Sequence, residues 1–336
     1  MHIIHKIAQE FKIWQGKDLD AIEEIKSGSG SNRFYFRINQ AAQTLIATFN
    51  SDLRENEAFF YLHDHFSVRN IPLPQLYYLS KDKQIYFQQD LGDLNLLQKL
   101  KSEGLSEKVK KLYKDSMEEL ARMQTSTREL NYHKCYPRAS FDQQSVLWDL
   151  NYFKYYFLKV SGLLFDEQKL ENDLQYLAQE LSVKEDENTF MFRDFQARNI
   201  QIFENQPFFI DFQGGRRGPV TYDLASILYQ ASANLPDDFR DTLKKHYHKD
   251  INQFIDYPIE QMEEDLNRMV FIRIIQTLGA YGYRGIIEGK EYFKNSIKPA
   301  LVNLESHLNQ WNHPLKITYL KSLLFQLIKI KDKFEA

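Results

Sequence analysis

An aspartate and an asparagine five residues apart, with a second aspartate after them at the end of an apolar run, single out residues 190–223. The first pair lies in Arg193-Asp194-Phe195-Gln196-Ala197-Arg198-Asn199, the pattern R-D-x-x-x-x-N, and the second acid in Phe208-Phe209-Ile210-Asp211-Phe212. These residue types suit phosphoryl transfer from a nucleotide. Asp194 would take the proton of an acceptor hydroxyl, while Asn199 and Asp211 would hold the Mg²⁺ that bridges the phosphates. Singly, each is equally well a turn cap or the last residue of a strand. As an ordered set following a glycine-rich segment, they favour the chemical reading.

To meet at one point these residues need a rigid frame. Apolar runs at 190–192, 200–203 and 207–210 predict short strands around the loop, with the turn Glu204-Asn205-Gln206 between the last two. Upstream, the pattern predicts a helix over 1–11, strands over 21–26, 33–38 and 44–49, and a helix over 52–66 with Phe59, Leu62 and Phe66 on one face. Strands over 76–79 and 84–88 follow the extended Ile71-Pro72-Leu73-Pro74. Between the first two strands lies Ser27-Gly28-Ser29-Gly30-Ser31-Asn32. Its small residues let backbone N–H groups approach an anion, although a plain hairpin turn would look the same. Beyond Gln89-Asp90-Leu91-Gly92-Asp93 the periodicity is mostly helical, over 107–124, 143–160, 166–181, 260–283, 292–310 and 315–330. The 260–283 segment is apolar on more than one face and predicts a central, buried helix. The expected architecture is α+β with two lobes: a sheet lobe over 1–88 with one packed helix, a hinge at 89–93 and a helical lobe over 94–336.

Composition fits one such unit. The 336 residues are 43% hydrophobic and 26% charged, with 14% aromatics to fill a core. A net charge of -3 gives no electrostatic footprint for nucleic acid, and the Lys108-Lys110-Lys111 and Lys329-Lys331-Lys333 clusters read as solvated helix faces. The single cysteine, Cys135, excludes an internal disulfide and fits a reducing compartment. Neither a signal-peptide pattern nor a membrane-length apolar run is present, so a soluble, cytoplasmic protein with no membrane partner is expected. Asp211 is followed within eight residues by Pro219, which leaves no room for the activation segment on which a protein kinase docks a peptide. The expected acceptor is a small molecule.

Over about residues 20–290 the sequence resembles the aminoglycoside phosphotransferase/choline kinase family, the small-molecule branch of the protein-kinase-like fold. The resemblance rests on residues 193–199, on Ile210-Asp211-Phe212-Gln213 and on Gly218-Pro219-Val220-Thr221-Tyr222-Asp223-Leu224. It is strengthened by Gln276-Thr277-Leu278-Gly279-Ala280-Tyr281 and Gly289-Lys290. Within the family it is greatest to the bacterial branch that phosphorylates N-acetylmuramate and N-acetylglucosamine at C1. Kinases for aminoglycosides, choline or homoserine, and a catalytically weak nucleotide- or sugar-binding regulator, are the alternatives.

The resemblance implies ATP and Mg²⁺ as cofactors and a monomer or weak homodimer. It assigns Asp194 as catalytic base and Asn199 and Asp211 as metal ligands. Gly28, Ser29, Gly30 and Ser31 would cover the phosphates, and Gln88, Asp90 and Leu91 would border adenine. Gln196, Arg198, Gln213, Arg216, Arg217, Arg273 and Tyr281 become candidate acceptor contacts, with Arg216-Arg217 as a possible grip on a carboxylate. Asp223 is expected to brace the catalytic loop. Two departures stand out. Phe192 occupies a position where the family often has His. The third strand, Gln43-Thr44-Leu45-Ile46-Ala47-Thr48-Phe49, lacks the lysine that usually holds the α- and β-phosphates. Arg33 or Arg37 on the second strand, or Mg²⁺ and backbone alone, would have to replace it, with Glu55 or Glu57 as the helix partner.

Overall fold

The structure, a computed structural model, describes residues 2–25, 33–40, 43–184, 187–311 and 315–334. The four glycine-rich-loop residues expected to cover phosphates lie outside these. Helix α1 (His2–Gln15) comes first, longer than its sequence pattern suggests. Strands β1 (Ala21–Ile25), β2 (Phe34–Gln40) and β3 (Gln43–Phe49) form an antiparallel meander. Helix α2 (Leu53–Ser67) follows, its first turn capped by Asp52, which accepts from the Arg54 and Glu55 amides. Strands β4 (Leu76–Leu79) and β5 (Ile85–Gln89) complete a five-stranded sheet of order β1-β2-β3-β5-β4.

The strand alternation assigns each sheet face its neighbour. Phe36, Ile38, Ala47 and Phe87 point to α1 and pack with its Ile7 and Phe11. On the other face Tyr86 stacks on Phe59 of α2 at 4.9 Å and meets Phe60 edge-on at 5.3 Å. Helix α2 is also bound to the second lobe at several points. Phe66 packs on Phe190, Phe59 stacks on Phe212 at 5.2 Å, and the Asn131 amide donates to the Tyr61 hydroxyl.

The second lobe is helical apart from two small hairpin-like pairs. Helices α3 (Leu96–Glu103), α4 (Glu107–Thr125), α5 (Gln143–Phe153) and α6 (Glu167–Leu181) precede β6 (Phe190–Met191), β7 (Ile200–Phe203), β8 (Gln206–Phe209) and β9 (Arg216–Arg217). Strand β7 pairs with β8, whereas β6 pairs with β9 across the loop. Then come α7 (Val220–Leu228), α8 (Asp237–Ile251), α9 (Ile259–Tyr281), α10 (Glu291–Lys294), α11 (Ile297–Gln310) and α12 (Thr318–Lys329). Residues Met269 to Ile275 of α9 are all buried, as expected of a helix through the centre of the lobe.

Some expectations need correction. The helix expected over 143–160 widens after Phe153 into a π turn at Lys154–Leu158, and α9 does the same at Gly282–Ile287. The two widened turns touch: a Cβ on Gly282 would lie 2.0 Å from the Tyr156 carbonyl oxygen, so only glycine allows the approach. The segment over 292–310 is broken between α10 and α11. Cys135, in the loop after Tyr132–Lys134, is buried at 8% exposure, and burial pushes its thiol up to about 12. Among the described residues no helix is long and apolar enough to cross a membrane.

Candidate active site

Between β6 and β7 the chain takes an unfavourable path: Arg193 has φ 85°, and Asp211, just past β8, has φ 70°. For non-glycine residues this left-handed backbone costs about 1 kcal/mol or more each, so the surroundings must fix it. Asp223, in the first turn of α7, does so at Arg193. Its carboxylate accepts from the Phe192 amide at 2.7 Å, the Arg193 amide at 2.9 Å and the Gln124 side-chain amide at 2.8 Å. Tyr247 of α8 in turn donates to Gln124 at 2.5 Å. Burial pushes the Asp223 carboxyl up to about 7, and the Phe192, Gln124 and Arg193 donors pull against that rise. The Arg193 guanidinium points inward to Asp149 of α5 at 2.5 Å and to the Tyr222 hydroxyl at 2.6 Å. Phe192 is fully buried and packs edge-on against Phe195 and Phe209. An aromatic therefore supports the loop where the family often uses histidine.

Asp194 emerges from this frame with all four acceptor positions of its carboxylate filled. Arg273 of α9 donates to Oδ1 at 2.6 Å and Gln196 at 2.8 Å; Arg198 donates to Oδ2 at 3.1 Å and Asn199 at 3.3 Å. Burial alone would raise this carboxyl, yet Arg198 and Arg273 hold it down at about 2. It is a carboxylate throughout the ordinary pH range.

Asn199 also donates from Nδ2 to the Asp194 carbonyl at 2.9 Å, which leaves its side-chain oxygen directed away from that loop. The Ile210 amide donates to the Asn199 carbonyl at 3.1 Å, and this bond sets Asp211 beside Asn199. Gln213 donates to Asp211 Oδ1 at 2.7 Å. Burial, and after it the charge of Asp194, raises the Asp211 carboxyl above its ordinary value. A nearby cation would relieve that cost. One amide oxygen and one carboxylate are hard donors that suit Mg²⁺, which completes its shell with phosphate and water oxygens. Among the described residues no group of three or more His, Cys, Asp or Glu is gathered for a metal, consistent with so sparse a protein ligand set.

On the smaller lobe the two candidate arginines separate. Arg37 turns to the hinge and grips Asp90 at 2.7 and 3.2 Å and Asp93 at 2.8 and 3.2 Å. Gln88 and Gln89 belong to β5, Leu91 is buried, and Asp90 caps the hinge turn by accepting from the Gly92 amide. Arg33 instead lies beneath the sheet, 5% exposed, with its Nε 3.5 Å from Glu55 of α2. Glu57, the other helix candidate, pairs with Lys83. A cavity of about 370 Å³ beside this region is lined by Asn50, Asp52, Glu55, Tyr136, Asp211 and Gln213.

The acceptor candidates are divided too. Arg198, Gln196, Arg273 and Tyr281 converge on Asp194, and Tyr281 feels the charges of Arg273, Arg198 and Asp194. Arg216 and Arg217, the pair expected to grip a carboxylate, are adjacent on β9 but have different neighbours. Arg216 is buried, donating to the Gly214 carbonyl and toward Ser145, while the charge of Arg217 bears on Tyr132 and Glu187. Sequence reasoning missed Asp149, Gln124, Tyr222 and Gln230, whose side chain accepts from the Ala197 amide at 2.8 Å. Asp149 and Tyr222 reach the Arg193 side chain from α5 and α7, Gln124 of α4 reaches the loop through Asp223, and Gln230 lies just past α7; no local spacing signals any of them. It also missed Tyr292, whose hydroxyl lies 3.1 Å from that of Ser232 and whose charge bears on Arg198.

A family model described as "Phosphotransferase enzyme family" matches residues 21–258. The chain is 27% identical over 173 residues to the N-acetylmuramate/N-acetylglucosamine kinase of Neisseria meningitidis serogroup B, covering 50% of this chain and 49% of the relative. It thus spans about half the length of that curated relative. Among solved structures, choline kinase from Cryptosporidium parvum superposes with a TM-score of 0.60 at 13% identity, covering 96% of this chain and 99% of the other. A streptomycin–ATP–APH(2")-IIa ternary complex superposes at 0.57 with 16% identity, covering 88% and 95%. These structural likenesses establish a shared two-lobe kinase-like fold.

Proposed function

The chain belongs to the phosphotransferase enzyme family, and from that premise we propose that it is an ATP- and Mg²⁺-dependent kinase for the anomeric hydroxyl of an amino sugar, N-acetylmuramate or N-acetylglucosamine. The observation that carries this reading is the convergence of Asp194, Asn199 and Asp211, joined by the Asn199–Asp194 and Ile210–Asn199 hydrogen bonds. The name of the Neisseria relative supplies the acceptor class, and the ATP of the superposed ternary complex supplies the donor. Asn199 and Asp211 are the residues that would hold Mg²⁺, which neutralises phosphate charge when bound.

Asp194 orients the acceptor hydroxyl and takes its proton late in the transfer. To do so one of its present donors must yield, and the neutral Gln196 amide is the least costly to displace. A carboxylate held near 2 is a weak base. It suits a hemiacetal hydroxyl, which is more acidic than an ordinary alcohol. Arg198 and Arg273 supply positive charge at the acceptor, which favours the lactyl-bearing N-acetylmuramate over the neutral sugar.

Incubation with ATP, Mg²⁺ and each sugar, with phosphorus NMR of the product, is the test. A sugar 1-phosphate is expected, and transfer only to choline, homoserine or aminoglycosides would overturn the acceptor assignment. The second reading, a weakly active nucleotide- and sugar-binding regulator, is favoured by the fully occupied Asp194 carboxylate. Binding of ATP without transfer to any of these acceptors would select it.

A further inference from the structure

The third strand leaves a gap where the phosphate-binding lysine of kinase-like folds stands, and the structure shows what fills it. Strand β3 presents Thr48 to the cleft side of the sheet, fully buried and flanked across the strands by Tyr35 and Tyr86. A lysine there would reach into the space between Glu55 of α2 and Asp211. That space holds a guanidinium instead. Arg33, at the start of β2, has its Nε 3.5 Å from Glu55, donates from Nη1 to the Tyr86 hydroxyl at 3.4 Å and lies 5.5 Å from the Phe59 ring centroid. Its charge acts on Asp211 as well as on Glu55. Glu55 in turn accepts from Asn50 at 2.7 Å, so the helix side of the pair is held in place.

We propose that Arg33 is the phosphate-anchoring cation of this enzyme, transposed from the third strand to the second, with Glu55 as its helix partner and Thr48 as the vacated position. The inference rests on the reading that the chain binds a nucleoside triphosphate. Arg33 stands next in sequence to the glycine-rich segment at 27–32. A planar guanidinium can also bridge two phosphate oxygens, where an ammonium acts as a point charge. Helix α2 needs no swing to form the pair. It is already docked on the other lobe through Phe59–Phe212 and through the Tyr136 hydroxyl, which donates to Asp52 and accepts from Arg54.

Isothermal titration of the full chain with ATP, ADP and adenosine in Mg²⁺ tests this. Arg33→Gln should weaken ATP and ADP at least tenfold while leaving adenosine unchanged, and Thr48→Lys added to Arg33→Gln should restore most of the loss. Glu55→Gln, which keeps the arginine, should weaken ATP by a smaller factor. If Arg33→Gln does not fold, Arg33→Lys supplies the binding comparison, with a weaker but nucleotide-specific loss expected. Undiminished ATP binding in folded Arg33→Gln would overturn the proposal, as would an equal loss of adenosine binding, which marks a purely structural arginine. Failure of the wild type to bind ATP at all would instead remove the nucleotide reading on which it rests.

Discussion

The two lobes bring charge to the cleft by different means. In the helical lobe every charge near the loop is pinned from several directions: Asp223 by three donors, Arg193 by Asp149 and Tyr222, Asp194 by four donors drawn from its own loop and α9. In the sheet lobe the proposed anchoring pair Arg33–Glu55 sits at 3.5 Å, and the pair Arg37–Asp90 closes at 2.7 Å beside the more exposed Asp93. The difference follows from where each part is built. Helices α4, α5, α7, α8 and α9 surround the catalytic loop and can each contribute a side chain, whereas a strand at the cleft has only its cross-strand neighbours and α2. The larger lobe therefore fixes its charges from more directions than the smaller one.

The largest expected effect tests the function of the pinned side. Asp194→Asn keeps the size of the side chain and removes the base, so kcat should fall about 10²- to 10⁴-fold, measured by phosphate transfer to the preferred amino sugar. The same change places an amide among donors and deprives Arg198 and Arg273 of their counter-charge, so a loss of about 2–3 kcal/mol in urea unfolding should accompany it. A transfer rate equal to the wild type would remove Asp194 as base.

Next comes the brace. Asp223→Asn leaves three donors facing a single carbonyl oxygen, and about 3 kcal/mol of stability should be lost, against about 1 kcal/mol or less for Glu55→Gln in the looser lobe. Equal losses at the two sites would break the contrast between the lobes. The Asp223 difference should depend on pH in a defined direction. With its folded value raised to about 7, against an ordinary value of 3.8, this carboxyl contributes stability that is full below about pH 4 and is lost as pH rises through 7. The gap between wild type and Asp223→Asn should accordingly be widest near pH 4 and should narrow as pH rises to 7. Constant separation across that window would show that the three donors, not burial, govern the group.

The sequence made the candidate reacting residues legible and left their supports hidden, for a physical reason. Asp194, Asn199 and Asp211 are close in the chain, and their spacing survives as a local pattern bounded by short apolar strands. The two-lobe division and the hinge followed from a change of period near Gln89. Arg273 lies 79 residues from Asp194 and Gln124 lies 99 from Asp223, and such contacts arise only when helices pack. The partners of Arg216 and Arg217 were hidden for the same reason: both follow Asp211 closely in the chain, but only the pairing of β9 with β6 sets their neighbours. The choice between Arg33 and Arg37 was likewise beyond sequence. Both lie on one stretch of chain, and only the positions of Glu55, Asp90 and Asp93 separate them.

The smallest effects should appear at the hinge, where they sharpen the comparison most finely. Arg37 meets two carboxylates that differ in environment: the Asp90 side chain is 5% exposed and that of Asp93 is 77% exposed. Removing the arginine with Arg37→Gln leaves the buried Asp90 charge without its cation, at a cost of about 1–2 kcal/mol. Removing only the outer acid with Asp93→Asn should cost about 0.5 kcal/mol or less, and that small effect should vanish in molar salt. If the clamp also sets the nucleotide mouth, the two changes should raise the KM for ATP in the same order while leaving the KM for the sugar unaltered, since Arg37 holds β2 to the segment that the family resemblance sets beside adenine. A larger effect from Asp93 than from Arg37 would mean that exposure does not rank these contacts. It would also mean that the sheet lobe is pinned from its solvent side, in contrast to the catalytic loop.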